Sequence, residues 1–265
     1  MELNILLLLL VLGSVVGLLA GLLGIGGGLL VVPALLFLLP QLGVATDIVM
    51  NMALATSLAT IIVTSSSSAM NHLKLGNVDL FVVKWLLPGV LVGGFLGSVV
   101  AEWLPSQYLP KVFGLIVLVL ALQMFRSSLS VRSTKPMPNA VLTLLSGNGI
   151  GIISTLAGIG GGSLTVPFLN HHGVEMRKAV GSSAVCGLVI AISGMLGFIL
   201  HGYRTEHLPS YSLGYVYLPA LLAIACTSVL TTRIGARLAS QLPTLILKRF
   251  FALFLMLVAI IMLLQ

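Results

Sequence analysis

From Ala179 to Gly202 the chain reads AVGSSAVCGLVIAISGMLGFILHG, with no Asp, Glu, Lys or Arg in twenty-four residues. A helix needs about 20 apolar residues to cross the hydrocarbon core of a bilayer. Runs of this kind fill nearly the whole length of the 265-residue chain. Only 7% of its residues are charged and 58% are apolar, with a mean hydropathy of +1.17. A water-soluble domain carries roughly 25% charged residues to cover its surface, which this chain cannot do. A transmembrane β-barrel would show short segments of alternating polarity instead of continuous apolar runs. The expected fold class is therefore an all-α polytopic membrane protein.

The remaining composition is consistent with that class. The formal net charge of +7 sits in short connecting segments, where topology rules put Lys and Arg; it gives no reason to expect nucleic acid as a partner. Cys186 and Cys226 fall in separate apolar runs, so neither a disulfide framework nor a zinc site is indicated. The N-terminal MELNILLLLLVLG lacks a basic leader and a small-residue cleavage site, and reads as a retained first helix.

The chain is also a duplication. Residues 17–35, GLLAGLLGIGGGLLVVPAL, recur at 151–169 as GIISTLAGIGGGSLTVPFL, with eleven of nineteen positions identical. In the same order, residues 53–76 align with 179–202, GNVDL at 76 with GYVYL at 214, and LGSVVAEWLP at 96 with IGARLASQLP at 234. Such internal repetition decides the architecture. The first repeat is assigned to 1–125, the second to 139–265, and the polar RSSLSVRSTKPMP at 126–138 to a cytoplasmic linker.

Three ordinary spans are expected in each half, near 48–71, 79–101 and 109–125, and near 177–200, 213–232 and 245–264. The remaining pieces, 3–40 and 139–170, are too long for one helix and are broken by glycines. If each piece crossed the membrane once, Lys and Arg would divide five against seven between the two sides. If each turns back, ten fall on one side and only Lys111 and Arg204 on the other, with Lys84 inside a span left out. The second distribution obeys the positive-inside rule. A returning hairpin plus three crossings is an odd number, so the second half would be inverted relative to the first. Inverted repeats with broken helices are a recurring architecture of secondary transporters. Both termini are then expected outside the cytoplasm.

The turning points carry Gly24, Gly26, Gly27 and Gly28 in the first copy and Gly158, Gly160, Gly161 and Gly162 in the second. Glycine allows sharp reversals with positive φ. Pro33 and Pro167 follow at equal distance as structural hinges. Free N–H groups at the start of a short helix make a ready anion site, whereas the plain alternative is close helix packing by small residues. The helix after the first hairpin carries a polar stripe of Thr56, Thr60, Thr64 and Ser68, with Asn51 and Ser57 nearby; the repeat mates of Thr56 and Ser57 are Ser182 and Ser183. Hydroxyls can donate to an anion, or bond the carbonyl one turn back and only pack. The six acids all lie at or near span ends, which leaves a mid-membrane proton relay without its usual carboxylate and favours an anionic substrate. No nucleophile–base pair or metal-ligand set stands out, so neither an enzyme, a metal site nor a cofactor is expected.

The duplicated GIGGG…VP segments, the ATSLAT and GSSAVC openings of the following helices and the GNVDL and GYVYL starts resemble the TauE/SafE family, the sulfite exporter or toluene sulfonate uptake permease family. The resemblance covers essentially the whole chain. It implies a multi-pass secondary carrier of the cytoplasmic membrane for sulfite, thiosulfate or an organosulfonate. The matching glycines and prolines, with Thr56, Ser57, Ser182 and Ser183, would then be the substrate-binding and hinge positions. An anion channel and a non-transporting membrane subunit stand as alternatives, and the oligomeric state is open.

Overall fold

The computed structural model describes residues 3–23, 27–127, 136–205, 208–239 and 244–264. Gly24, Gly26 and most of the 126–138 linker lie outside these residues. The described residues form ten α-helices. The first half holds α1 (Leu3–Leu23), α2 (Gly28–Leu38), α3 (Val49–Lys74), α4 (Leu80–Trp103) and α5 (Leu109–Ser127). The second holds α6 (Ala140–Leu156), α7 (Gly162–His171), α8 (Met176–Gly202), α9 (Leu218–Ala239) and α10 (Thr244–Leu264). Four of them, α1, α3, α4 and α8, are each long and apolar enough to cross a bilayer.

Local sequence fixes several ends. The Asp79 carboxylate accepts the Val82 N–H at 3.3 Å and caps α4, and Asn139 does the same for Leu142 at 2.9 Å on α6, each satisfying a donor that the first turn leaves free. Helix α6 ends in a Schellman turn: Ile159 N–H bonds the Ser154 carbonyl at 2.9 Å, Gly158 N–H bonds that of Thr155 at 3.0 Å, and Gly158 sits at φ +58°. Pro33 and Pro167 lie inside α2 and α7, not at the breaks. Each withholds an N–H from the carbonyl one turn back, loosening the short helix just beyond its start.

One boundary differs from the sequence expectation. The last-but-one span starts at Leu218, not near 213, because Ser212–Leu213 and Val216–Tyr217 pair as two short antiparallel strands, β1 and β2. Gly214, at φ +54°, makes the tight turn between them and lies on the Ile199 backbone of α8. Apolar periodicity does not distinguish this buried turn from the first turns of a helix.

Helix α3 is central: every side chain from Val49 to Ile61 is buried. A helix buried all round is a core element. Helix α8 packs against it, while Leu7, Val11, Phe81, Leu122, Leu230 and Leu253 on the outer helices stay exposed. Apolar side chains on the outside and small polar ones within are the arrangement a bilayer demands.

Glycines set the closest helix contacts and reveal relative direction. Gly13 and Gly17 of α1 lie on Ile224 and Ser228 of α9, so these two run alike. Gly89, Gly93 and Gly97 of α4 meet Leu144, Asn148 and Ile152 of α6 in that order, and Gly94 and Gly197 join α4 to α8 in the same sense. Helices α6 and α8 are thus parallel although α7 lies between them in sequence. In contrast, Gly194 of α8 meets Leu58 of α3 while Gly181 meets Asn77, just past the end of α3, so α3 and α8 oppose each other. Gly114, early in α5, touches Ala259 and Met262 late in α10, and these oppose as well.

Candidate functional site

The breaks of the two hairpins meet on α3. The hydroxyl of Ser57, fully buried, donates to the Gly158 carbonyl at 2.8 Å, with the Gly28 carbonyl at 3.4 Å as its other acceptor within reach. Gly27 and Gly161 hold the same left-handed conformation, φ +66° and +70°, as the residues preceding α2 and α7. A Cβ on Gly28 would run into the Gly158 carbonyl, and one on Gly160 would come within 2.9 Å of Ile61. Gly160 also packs directly on Gly187 of α8. Gly162 opens α7. The structure therefore brings Gly27, Gly28, Ser57, Gly158, Gly160, Gly161 and Gly162 into one region between α3 and α8.

The other three hydroxyls named from sequence are engaged elsewhere. Thr56 accepts the backbone N–H of Tyr217 at 3.0 Å, and Ser182 accepts that of Asp79 at 2.9 Å. In the repeat alignment Thr56 is the mate of Ser182, and Asp79 the mate of Tyr217. Each half thus ties the start of the other half's long helix by the same bond. Ser183 donates to the carbonyl of Val180 at 2.8 Å in its own helix. Thr60, Thr64 and Ser66 likewise turn back on carbonyls of α3, the packing behaviour expected of hydroxyls in apolar helices.

Two features escaped the sequence reading. Ser154, Thr155 and Thr165, all completely buried, and the buried Oγ of Ser163 have no hydrogen-bond partner among the described residues. They surround the second hairpin turn only, because their mates in the first copy are Ala20, Gly21, Leu29 and Val31. Comparing the two copies for polarity instead of identity would have found them. The second feature is a network at the far end of α4. Asn51 Nδ2 donates to Glu102 Oε2 at 3.2 Å, Tyr215 OH donates to Glu102 Oε1 at 3.2 Å, and Thr205 Oγ1 donates to Tyr215 OH at 2.9 Å. Burial pushes the Tyr215 phenol, which lies in the turn between β1 and β2, above its usual range, and the Glu102 charge adds to that rise. The phenol therefore stays a proton donor to the carboxylate throughout the neutral range.

Lys84 is exposed and its Nζ lies 5.6 Å from the centre of the Trp85 ring, the behaviour of a cation reaching for the membrane surface. Among the described residues no group of three or more His, Cys, Asp or Glu side chains is gathered. A cavity of about 400 Å³ opens between α2 and α10, lined by Pro33, Leu36, Phe37, Met50, Val258 and Met262 among others. Thr46 is the one polar side chain among its lining residues, so the side chains there offer an ion little to replace its hydration.

Comparison with known proteins agrees with a membrane protein. A probable membrane transporter protein of Haemophilus influenzae is 43% identical over 259 residues, covering 98% of each chain. A probable membrane transporter protein of Methanocaldococcus jannaschii is 28% identical, over 89% of this chain and 86% of that one. YunE of Bacillus subtilis, another probable membrane transporter protein, is 26% identical over 73% and 77%. The model of the sulfite exporter TauE/SafE family matches residues 9–262. With a match from the first helix to the last, this chain belongs to the sulfite exporter TauE/SafE family.

Proposed function

We propose that the chain is a secondary transporter that carries a small sulfur-containing anion across the cytoplasmic membrane, by alternating access between two inverted halves. The observation that carries this reading is the convergence of both glycine breaks on Ser57, at the contact of two helices, α3 and α8, that are repeat mates and run in opposite directions. The opposed pair α5 and α10 supports it in the same way. So does the parallel course of α6 and α8, which requires α7 to bring the chain back. Irregular backbone inside a membrane is tolerated where protein buries it or where it serves a site, and in transporters of this architecture the site lies between the repeats.

Two bodies then suggest themselves. Helix α1 is locked on α9 and α6 on α4 by glycine contacts too close for any larger residue, so each hairpin is seated on the opposite half. Rocking of one such group against the other about the α3–α8 contact would open the site to each side in turn. The sulfur-containing anion is suggested by the family's description, sulfite exporter, and by α3 and α8, which contain no Asp or Glu to repel it.

The test is flux into proteoliposomes with sulfite, thiosulfate, sulfoacetate and taurine. Saturable exchange of at least one of them without steady current is the expected result. Steady conductance in planar bilayers would make the protein a channel, and absence of both flux and current for all four would sink the proposal. Orientation is checked separately. In a Cys226→Ser background, a cysteine placed in the 126–138 linker should be shielded from an impermeant thiol reagent in intact cells. Rapid labelling would reverse the assignment of the linker to the cytoplasm and of both termini to the outside.

A further inference from the structure

We propose that the two hairpins are not equivalent sites: the anion is held at the second alone, by the hydroxyls of Ser154 and Thr165 together with the free N–H groups that open α7. This inference rests on the reading of the chain as an anion carrier, and assigns that anion a place and a chemical class, a small oxyanion.

Ser154 stands in the last turn of α6 and Thr165 in the first turn of α7. Both side chains are completely buried and neither hydroxyl has a partner among the described residues. They converge: a Cβ on Gly161 would lie 3.4 Å from Thr165 Oγ1 and 3.7 Å from Ser154 Oγ. Buried polar groups in native proteins are nearly always satisfied, and two unsatisfied hydroxyls facing one glycine mark a place where something else supplies the acceptor. Thr155 faces Gly97 and Gly194 on the other side of α6 and takes no part. Ser163, half-buried in the opening turn of α7, adds a third hydroxyl without a partner among the described residues.

The spare groups are donors. Four carbonyls of the turn are already used: those of Ser154 and Thr155 by Ile159 and Gly158, that of Gly158 by Ser57, and that of Gly161 by Leu164 and Thr165. The N–H groups of Gly162 and Ser163, the first two of α7, have no carbonyl one turn back to bond, and the helix dipole makes that end positive. Two hydroxyl donors, backbone donors and a positive helix end, with these four carbonyls engaged, favour an anion over a metal cation. Helices α3, α6, α7 and α8 carry no Asp or Glu to oppose it. The oxygens of a small oxyanion can each accept one of these donors.

At the first hairpin the same positions are Ala20 and Val31, with Leu29 where the second has Ser163. Val31 and Leu29 are buried, so these positions bring no hydroxyl to that helix start. A left-handed glycine before each short helix, with divergent residues around it, makes the first hairpin the structural partner and the second the ligand holder.

The experiment measures sulfite affinity of the purified full-length protein by calorimetry, for wild type, Ser154→Ala, Thr165→Val, Thr165→Ser and Val31→Thr. A hydrogen bond to a charged group is worth roughly tenfold or more in affinity. Ser154→Ala and the isosteric Thr165→Val should therefore each weaken sulfite binding about tenfold, Thr165→Ser should bind as wild type does, and Val31→Thr should change nothing. Each variant is read at an unchanged elution profile. Sulfite affinity within twofold of wild type in both Ser154→Ala and Thr165→Val would overturn the site while leaving the carrier intact. A change in sodium affinity instead of sulfite affinity would also overturn it, as a cation site. If wild type neither binds nor moves sulfite, thiosulfate or an organosulfonate, the carrier reading falls and the site falls with it.

Discussion

Replacing Gly28 with alanine should separate the two hairpin breaks and abolish transport. The new methyl would meet the Gly158 carbonyl head on, with Ile61 Cδ1 at 2.8 Å and Ser57 Oγ at 3.1 Å. Gly28 itself has ordinary helical geometry, so the whole cost is steric, and it falls on a backbone carbonyl that cannot swing aside as a side chain could. Overpacking of this kind costs about 1–3 kcal/mol. Gly158→Ala should cost differently: its Cβ would sit 2.6 Å from Val32 Cγ2, a side chain that can shift, but its φ of +58° adds about 1–2 kcal/mol of left-handed strain. Gly43 and Gly76 are the controls. Both have positive φ, but nothing lies within 4 Å of an added Cβ. Alanine at either should cost only the backbone strain and leave flux intact. The measurement is thermal unfolding in detergent together with flux of the best substrate. Wild-type flux in Gly28→Ala would mean that the two breaks need not touch.

The contrast between these glycines shows what a single sequence conveys. Repetition made the GIGGG segments visible as turns, and the charge count implied that each turn brings the chain back. Those inferences depend only on local composition and on the sidedness of Lys and Arg, which are written along the chain. What the turns touch is a long-range matter. Ser57 and Gly158 are 101 residues apart, and nothing in the neighbourhood of either announces the other. The start of α9 was misplaced for a related reason. Residues 212–217 run without a polar break into the helix that follows, and the bond from Tyr217 to Thr56 that holds them extended comes from the other half. The polar cluster at Ser154 and Thr165 was hidden differently, by the emphasis that a repeat search puts on identity: the informative positions were those at which the copies disagree.

Thr56 and Ser182 divide two accounts that sequence could not separate, substrate hydroxyls and structural ties. Each already accepts a backbone N–H from the opposite half, yet a hydroxyl that accepts one bond keeps its own proton to donate. Thr56→Val removes the acceptor at nearly constant volume and leaves the Tyr217 N–H without a partner beside a fully buried side chain. An unsatisfied buried donor costs about 1–3 kcal/mol. Ser182→Ala does the same to Asp79 N–H, at a part-buried position where water offsets some of the loss. If both residues are ties, Thr56→Val should lower thermal stability more than Ser182→Ala, and the two losses should add, since the bonds share no group. Sulfite affinity of the folded fraction would then match wild type. If instead they touch the anion, affinity should fall by about tenfold in each variant, with stability changing less than that bond is worth. The geometry favours the tie. Two equal bonds, exchanged between halves at equivalent positions, are what fastens a duplicated chain to itself at both ends of its central helix pair.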